Sequence, residues 1–263
     1  MSEVSELRWI RLESTHTDVR TLVLDRPPVN ALGRELIDDL TVALARLKRD
    51  DAARCLVVRP SGPHFSAGAD LKERRDMTPD EVRRFVPRIA AVCNALAELP
   101  FPTIAAVRGA AAGGGCELAL ACDLRLLSTG AKIGLRETAL AILPGAGGTQ
   151  RLPRLIGPAR AKRWIFSARL HDAAEALADG VADRVVAEDR LDMEVLELAE
   201  TIAANGPLAV RLAKRAIDAG ADLPLGRALE LEWECYTRTL ETTDRVEALQ
   251  AFAEKRPPRF EGR

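Results

Sequence analysis

Two glutamates beside glycine-rich turns are the residues best placed to do acid–base chemistry. An apolar run, Thr103 to Val107, leads to three consecutive glycines, Gly113, Gly114 and Gly115, and then to the helix-like stretch Cys116-Glu117-Leu118-Ala119-Leu120-Ala121-Cys122. Glycine lets bare backbone N–H groups approach a ligand, and the first amides of a helix are unpaired at the positive end of its dipole. Such a corner suits a developing negative charge. Glu117 stands in that first turn. Glu137 stands in a second strand-and-turn unit, closed by Pro144-Gly145-Ala146-Gly147-Gly148. Two carboxylates at one anion-stabilising corner are general acid and general base equipment. Each alone has a plainer reading, Glu117 as a dipole-stabilising residue and Glu137 as a solvated loop residue.

Other chemistries fit poorly. His16, His64 and His171 are scattered, H-E-x-x-H is absent, and no Cys/His group has zinc spacing, so no metal is expected. The glycines match neither G-x-G-x-x-G nor a Walker A loop, and G-x-S-x-G is absent. Lys plus Arg is 38 against 39 Asp plus Glu, a balance without bulk attraction to nucleic acid or an anionic membrane. The 263 residues, 47% hydrophobic and 29% charged, suffice for one large core with an appendage. Cys55, Cys93, Cys116, Cys122 and Cys235 show no C-x-x-C pair and read as reduced, buried small hydrophobes. No apolar run is long enough to span a membrane, and MSEVSELRWIRLES carries charges where a signal peptide needs an apolar stretch. A reducing aqueous compartment is expected.

The elements that must position the glutamates follow from periodicity. Residues 7 to 12 and 19 to 24 predict a hairpin of short strands, the second stopped by Pro27-Pro28. Leu36, Leu40, Leu44 and Leu47 mark one buried face of a helix, and Cys55 to Val58 the next buried strand. A turn-rich segment, Ser61 to Asp70, opens a charged run, KERRDMTPDEVRRF, and a helix through Ile89, Val92, Leu96 and Leu99. Short strands are expected at 123–128, 132–135 and 181–186, and helices at 159–168 and 172–180. Asn205-Gly206-Pro207 separates two amphipathic helices, and helices at 224–240 and 244–255 end before Pro257-Pro258. The division expected is a core over 1–200 and a helical region over 201–263.

These pieces, in order, resemble the enoyl-CoA hydratase/isomerase superfamily over nearly the whole chain. The matching segments are LDRPPVNAL, FSAGADLKE, PTIAAVRGAAAGGGCELALACD, GLRETALAILPGAGGTQRLPRLIG, FSARLHDAAEALADGVADRVV and AFAEKRPPRF. ADLKER, ALACD, IFSAR and EKRPPRF are similar to the methylglutaconyl-CoA hydratase-like members in particular. The resemblance implies an α/β crotonase fold, a spiral of β-β-α units with a C-terminal helical trimerisation region. It implies syn addition of water to a trans-2-enoyl-CoA, without a cofactor beyond the CoA of the substrate, in a homotrimer or dimer of trimers, cytoplasmic or in the mitochondrial matrix.

By the same resemblance the backbone N–H groups of Ala69 and Gly114 hold the thioester oxygen. Glu117 activates the water, Glu137 delivers the α-proton, and Gly145 helps hold the water through its backbone. CoA contacts are implied for Arg26, Ala67, Asp70, Lys72, Phe252 and Lys255, the last two reaching a neighbouring subunit. Keeping both glutamates favours hydration over a double-bond shift. A branched dicarboxylic acyl group needs a cation near its end, for which Arg74, Arg75, Arg83, Arg84 and Arg136 stand as candidates. AU-rich RNA binding, described for one member, needs a cation-rich helix in the 34–54 region, but Asp38, Asp39, Asp50 and Asp51 interrupt it.

Overall fold

The computed structural model describes residues 7–15 and 17–263, so the first six residues and His16 lie outside the described residues. The expected hairpin is present as β1 (Ile10–Ser14) and β2 (Val19–Leu24), antiparallel with Ile10 opposite Leu24. It starts later than the residue pattern indicated, because the Trp9 N–H is taken by the Asp39 carboxylate at 2.6 Å. Helix α1 (Arg34–Leu47) buries Leu36, Leu40, Leu44 and Leu47 as the spacing requires, with Ile37 and Ala43 widening the stripe. Strand β3 (Cys55–Pro60) then runs parallel to β2.

The charged run is divided between two helices. Helix α2 (Leu71–Arg75) is capped by the Asp70 carboxylate, which accepts from the Lys72 and Glu73 amides. Helix α3 (Pro79–Ala97) begins with a reciprocal cap between Thr78 and Glu81 and buries Phe85, Ile89, Val92, Cys93 and Leu96.

Strand β4 (Thr103–Val107) does not run straight into the glycines. A three-residue strand, β5 (Ala110–Ala112), intervenes before α4 (Gly114–Leu120). The pattern then repeats with β6 (Leu124–Ser128), β7 (Lys132–Gly134), α5 (Gly148–Ile156) and α6 (Pro158–Ser167). After these come β8 (His171–Asp172), α7 (Ala173–Asp179) and β9 (Arg184–Val186). Strands β1 to β3 all lie in a six-stranded sheet ordered β1-β2-β3-β4-β6-β9, and from β4 onward the strands are shared between it and a small sheet ordered β5-β7-β8. Ser66 makes an isolated bridge to Ala111, so the segment after β3 touches the small sheet as well. This alternation between two sheets is the spiral expected of β-β-α units.

The large sheet is parallel beyond β2, and its inner strands β2, β3, β4 and β6 are buried along most of their length. Leu56, Val58, Ala105 and Val107 join the main core with α1 and α3, while Cys55, Val57, Ile104 and Ala106 face α8 (Leu191–Ala203). Helices α9 (Pro207–Gly220), α10 (Leu225–Thr237) and α11 (Thr243–Glu254) follow. Asn205-Gly206-Pro207 separates α8 from α9 as expected. By its packing α8 belongs to the core, whereas α9 to α11 bury few residues of their own. The five cysteines are buried and free. Among the described residues no helix is long and apolar enough to cross a membrane.

Candidate active site

The first parts of the site are two main-chain amides brought side by side. Leu32 forms a parallel bridge with Ala69: its N–H donates to the Gly68 carbonyl at 2.8 Å, and its carbonyl accepts from Asp70 at 3.3 Å. In extended backbone alternate residues point opposite ways, so the Ala69 N–H is turned from Leu32 to the other side. Gly114 is the first residue of α4, where an N–H has no intrahelical partner. The two meet because Gly68, at φ +84°, lets the loop come so near that a Cβ on it would lie 2.4 Å from the Ala112 oxygen and 3.0 Å from the Gly114 nitrogen. A Cβ at Gly114 would stand 3.6 Å from the Ala69 nitrogen and 3.1 Å from Leu32 Cδ1, so a side chain there crowds the space between the amides.

The small sheet carries Glu137 to this corner. Ala112 of β5 lies opposite Gly134 of β7, and the Gly113 N–H donates to the Gly134 carbonyl at 2.8 Å. A short 3-10 turn, Glu137–Leu140, follows and sets the Glu137 carboxyl over Gly113. Glu137 lines a cleft of about 290 Å³ together with Ala67, Ala69, Gly113 and Gly114. Its Oε2 is buried without a hydrogen-bond partner. Burial, reinforced by the negative charge of Glu117, pushes its carboxyl up to about 7.

Glu117 is 3% exposed, and its Oε1 accepts from the Ala146 and Gly148 amides at 2.7 and 2.8 Å. Burial raises its pKa, opposed by those two amides and by the positive charge of Arg151. The two carboxyls therefore differ in kind. Glu117 has hydrogen bonds that favour its ionised form, and Glu137 has a site that favours its proton.

From the PGAGG turn, for which the resemblance implied a water contact at Gly145, the amides of Ala146 and Gly148 reach Glu117. Arg151 and Asn94 were missed. The Arg151 guanidinium donates to the Ala146 carbonyl at 3.0 Å and to Asn94 Oδ1 at 2.7 Å, bracing the turn from behind. Only the position of Arg151 in the first turn of α5 hinted at this.

The residues implied for CoA divide into groups. Ala67 lines the cleft. Arg26 and Asp70 are joined at 2.8 Å, and Arg26 also reaches the Ala31 carbonyl and Glu73, so their polar groups brace the Asp70 turn. Lys72 is exposed on α2, whose Leu71 and Arg74 line the cleft. Phe252 is 85% exposed on α11 and Lys255 ends that helix; neither lines the cleft of its own chain. Among the described residues no group of three or more His, Cys, Asp or Glu is arranged to hold a metal ion.

Comparison with known proteins shows the family and the fold. The family model for enoyl-CoA hydratase/isomerase matches residues 14–263. The chain is 47% identical over 268 residues to the human protein named methylglutaconyl-CoA hydratase, mitochondrial, covering 100% of this chain and 79% of that protein. It is 46% identical over 243 residues to the putative enoyl-CoA hydratase/isomerase YngF of Bacillus subtilis, covering 92% of this chain and 94% of that protein. The crystal structure of an enoyl-CoA hydratase from Bacillus anthracis superposes with a TM-score of 0.95 at 43% identity, covering 97% of this chain and 100% of that one. With two sheets wound through β-β-α units, paired carboxyls at an amide corner and these likenesses over its whole length, the chain belongs to the enoyl-CoA hydratase/isomerase family and has the crotonase fold.

Proposed function

We propose that the cleft hydrates a 2-enoyl-CoA, with the amides of Ala69 and Gly114 gripping the thioester oxygen and Glu117 and Glu137 dividing the proton transfers. As water attacks the β-carbon, charge flows onto the thioester oxygen, and each donor aimed there contributes roughly 2.7–4 kcal/mol to lowering the barrier. Glu117, its Oε1 held by two amides, takes the proton of the attacking water through its other oxygen. Glu137 then gives its proton to the α-carbon, leaving a 3-hydroxyacyl thioester. Its carboxyl at about 7 supports the acid role, because a useful fraction is protonated near neutral pH.

The observation that carries this reading is the buried, unpartnered Oε2 of Glu137, a residue that lines the same cleft as Ala69 and Gly114. The test is loss of the conjugated thioester absorbance of crotonyl-CoA. In Glu137→Gln, turnover is expected to fall on the order of 10²–10⁴-fold with folding intact. Unchanged turnover in that variant overturns the assignment.

Further parts of the reading rest on chemistry already described. Lys72, and Phe252 and Lys255 of a neighbouring copy, hold the CoA moiety in a trimer or dimer of trimers, with α9 to α11 as the assembly region. Five free, buried thiols favour a reducing compartment, the cytoplasm or a mitochondrial matrix. A nucleic-acid role is disfavoured by α1, whose Asp38 pairs with Arg88 and whose Asp39 holds the Arg8 and Trp9 amides, leaving no surplus of cations.

A further inference from the structure

The turn that holds Glu117 has no side chain of its own able to make a hydrogen bond. It reads Pro144-Gly145-Ala146-Gly147-Gly148, yet its Ala146 and Gly148 amides both point at one carboxylate oxygen. Each peptide is planar, so the direction of an amide is set by the soft dihedrals on either side of it. The plane between these two amides is the Ala146–Gly147 peptide, and its carbonyl is the one that the Arg151 guanidinium binds at 3.0 Å. Pinning the middle plane limits the rotation of both neighbours.

Arg151 is itself fixed. Its backbone N–H donates to the Gly147 carbonyl at 2.8 Å, and its guanidinium lies so near Gly147 that a Cβ there would collide with it. The other prong reaches Asn94 Oδ1 on α3 at 2.7 Å. The groove that Arg151 lines, with Arg154, Leu155, Leu120 and Asp218, is separate from the cleft of Glu137, so its path to the chemistry runs through the turn. Of the titratable and charged groups about Glu117, the Cys93 thiol of α3 and the Cys116 thiol of α4 are kept neutral by burial, and Glu137, beyond β7, is negative when ionised. Burial pushes the Glu117 carboxyl up, and the Gly148 and Ala146 amides oppose it together with the positive charge of Arg151 on α5.

We infer that Arg151 is a positioning residue for the hydration step: it holds the Ala146 and Gly148 amides in the directions that fix Glu117, and Asn94 steadies it from α3. This rests on the hydratase reading above and names a residue on which the water-activating carboxylate depends. A role in stability alone would lower the folded fraction and leave each folded site as active as before.

The experiment measures kcat and KM for crotonyl-CoA, per folded site and across pH, in the full-length wild type, Arg151→Met, Arg151→Lys and Asn94→Ala. Carboxyl carbon NMR of labelled glutamate follows Glu117 in the same proteins. In Arg151→Met, kcat should fall on the order of 10- to 100-fold with KM nearly unchanged, the range for a reacting group displaced by about 1 Å. The acid limb of the pH profile and the Glu117 titration should both move to higher pH, because a positive neighbour that favours the ionised form is gone. Arg151→Lys keeps the charge without the two-pronged reach, so the limb should return while kcat recovers only in part. Asn94→Ala keeps the charge too, and there kcat alone should fall. Full kcat per folded site in Arg151→Met, with the acid limb in place, overturns the inference. So does a rise in KM with kcat unchanged, which assigns Arg151 to binding. Should Arg151→Met fail to fold, Asn94→Ala decides, and an unchanged kcat there overturns the inference. A wild type that does not hydrate crotonyl-CoA, while the Glu117 titration still moves in Arg151→Met, removes the hydratase reading and leaves Arg151 as the group that orients Glu117.

Discussion

The Glu137 carboxyl lies over Gly113 so closely that a Cβ at that glycine would stand 2.8 Å from Oε1. Gly113 also has φ +52° and ψ −122°, a conformation that a residue with a side chain adopts only under strain. In Gly113→Ala the new methyl group and the acid cannot both keep their places. Because the Gly113 amide ties the α4 entrance to Gly134, the movement is passed to the 3-10 turn that carries the acid. The expected outcome is a loss of about 1–3 kcal/mol in stability, together with a fall in kcat larger than the rise in KM. Full turnover in this variant, measured with crotonyl-CoA, contradicts the placement of Glu137 as the proton donor.

A bell-shaped pH profile of kcat/KM should follow from the two carboxyl environments. Glu137 can donate only while protonated, so activity falls as pH rises through about 7. Glu117 must be ionised, and burial raises it above its usual 4.5, so activity falls again on the acid side. Because the pair is coupled, the two limbs belong to both groups. In Glu117→Gln the negative neighbour is gone, and Glu137 should titrate at lower pH. The shift is readable in residual hydration or in carboxyl carbon NMR of labelled glutamate. A Glu137 titration that does not move in that variant means the carboxyls do not sense each other.

Much of this architecture could be read from residue types because the signal was local. The leucines of α1 recur at helical spacing and are buried together, and Asn205-Gly206-Pro207 separates α8 from α9 where it should. Strands β5 and β8 could not be read in this way. They contain three and two residues, and they count as strands only because β7 lies between them. The site divides along the same line. Glu117 and Glu137 were legible as carboxyls beside glycine turns, whereas the bracing of the Ala146 turn by Arg151 and Asn94 joins helices far apart in sequence. Arg74 was visible only as one arginine among several in a charged run, and its place in the cleft lining is a property of the folded chain.

His171 should make the fold acid-sensitive. Its ring is 0% exposed and stacks on Trp164 at 3.8 Å, and neither ring nitrogen has a hydrogen bond. Burial lowers its pKa from 6.5, the positive charge of Arg169 adds to that, and Glu175 opposes it. A base whose pKa is lower folded than unfolded favours the native state above its unfolded value. That stability is lost as pH falls through the folded value. Thermal denaturation of the wild type should therefore shift to lower temperature between pH 7 and pH 5 more than that of His171→Phe, which keeps an aromatic ring against Trp164 but cannot bind a proton. For a chain of this size the difference should be roughly 2–4 °C per kcal/mol. Parallel curves for the two proteins exclude His171 as the source.

The C-terminal helices carry apolar side chains that this chain alone does not cover. Trp233 on α10 is 62% exposed, Phe252 on α11 is 85% exposed, and Leu225, Leu229, Val246 and Leu249 are exposed beside them in sequence. Scattered single hydrophobes are ordinary on a surface, but repeated large ones along two consecutive helices suit contact with another copy. If that contact holds a trimer or dimer of trimers together, an aspartate in its centre has to be desolvated without a partner, which costs several kcal/mol. Trp233→Asp should lower the mass measured by light scattering toward that of one chain. Phe252→Asp, in the segment expected to reach the neighbour's CoA, should raise KM for crotonyl-CoA even where the mass is retained. A wild type that is monomeric at micromolar concentration, with full hydratase activity, excludes both the assembly and the shared CoA site.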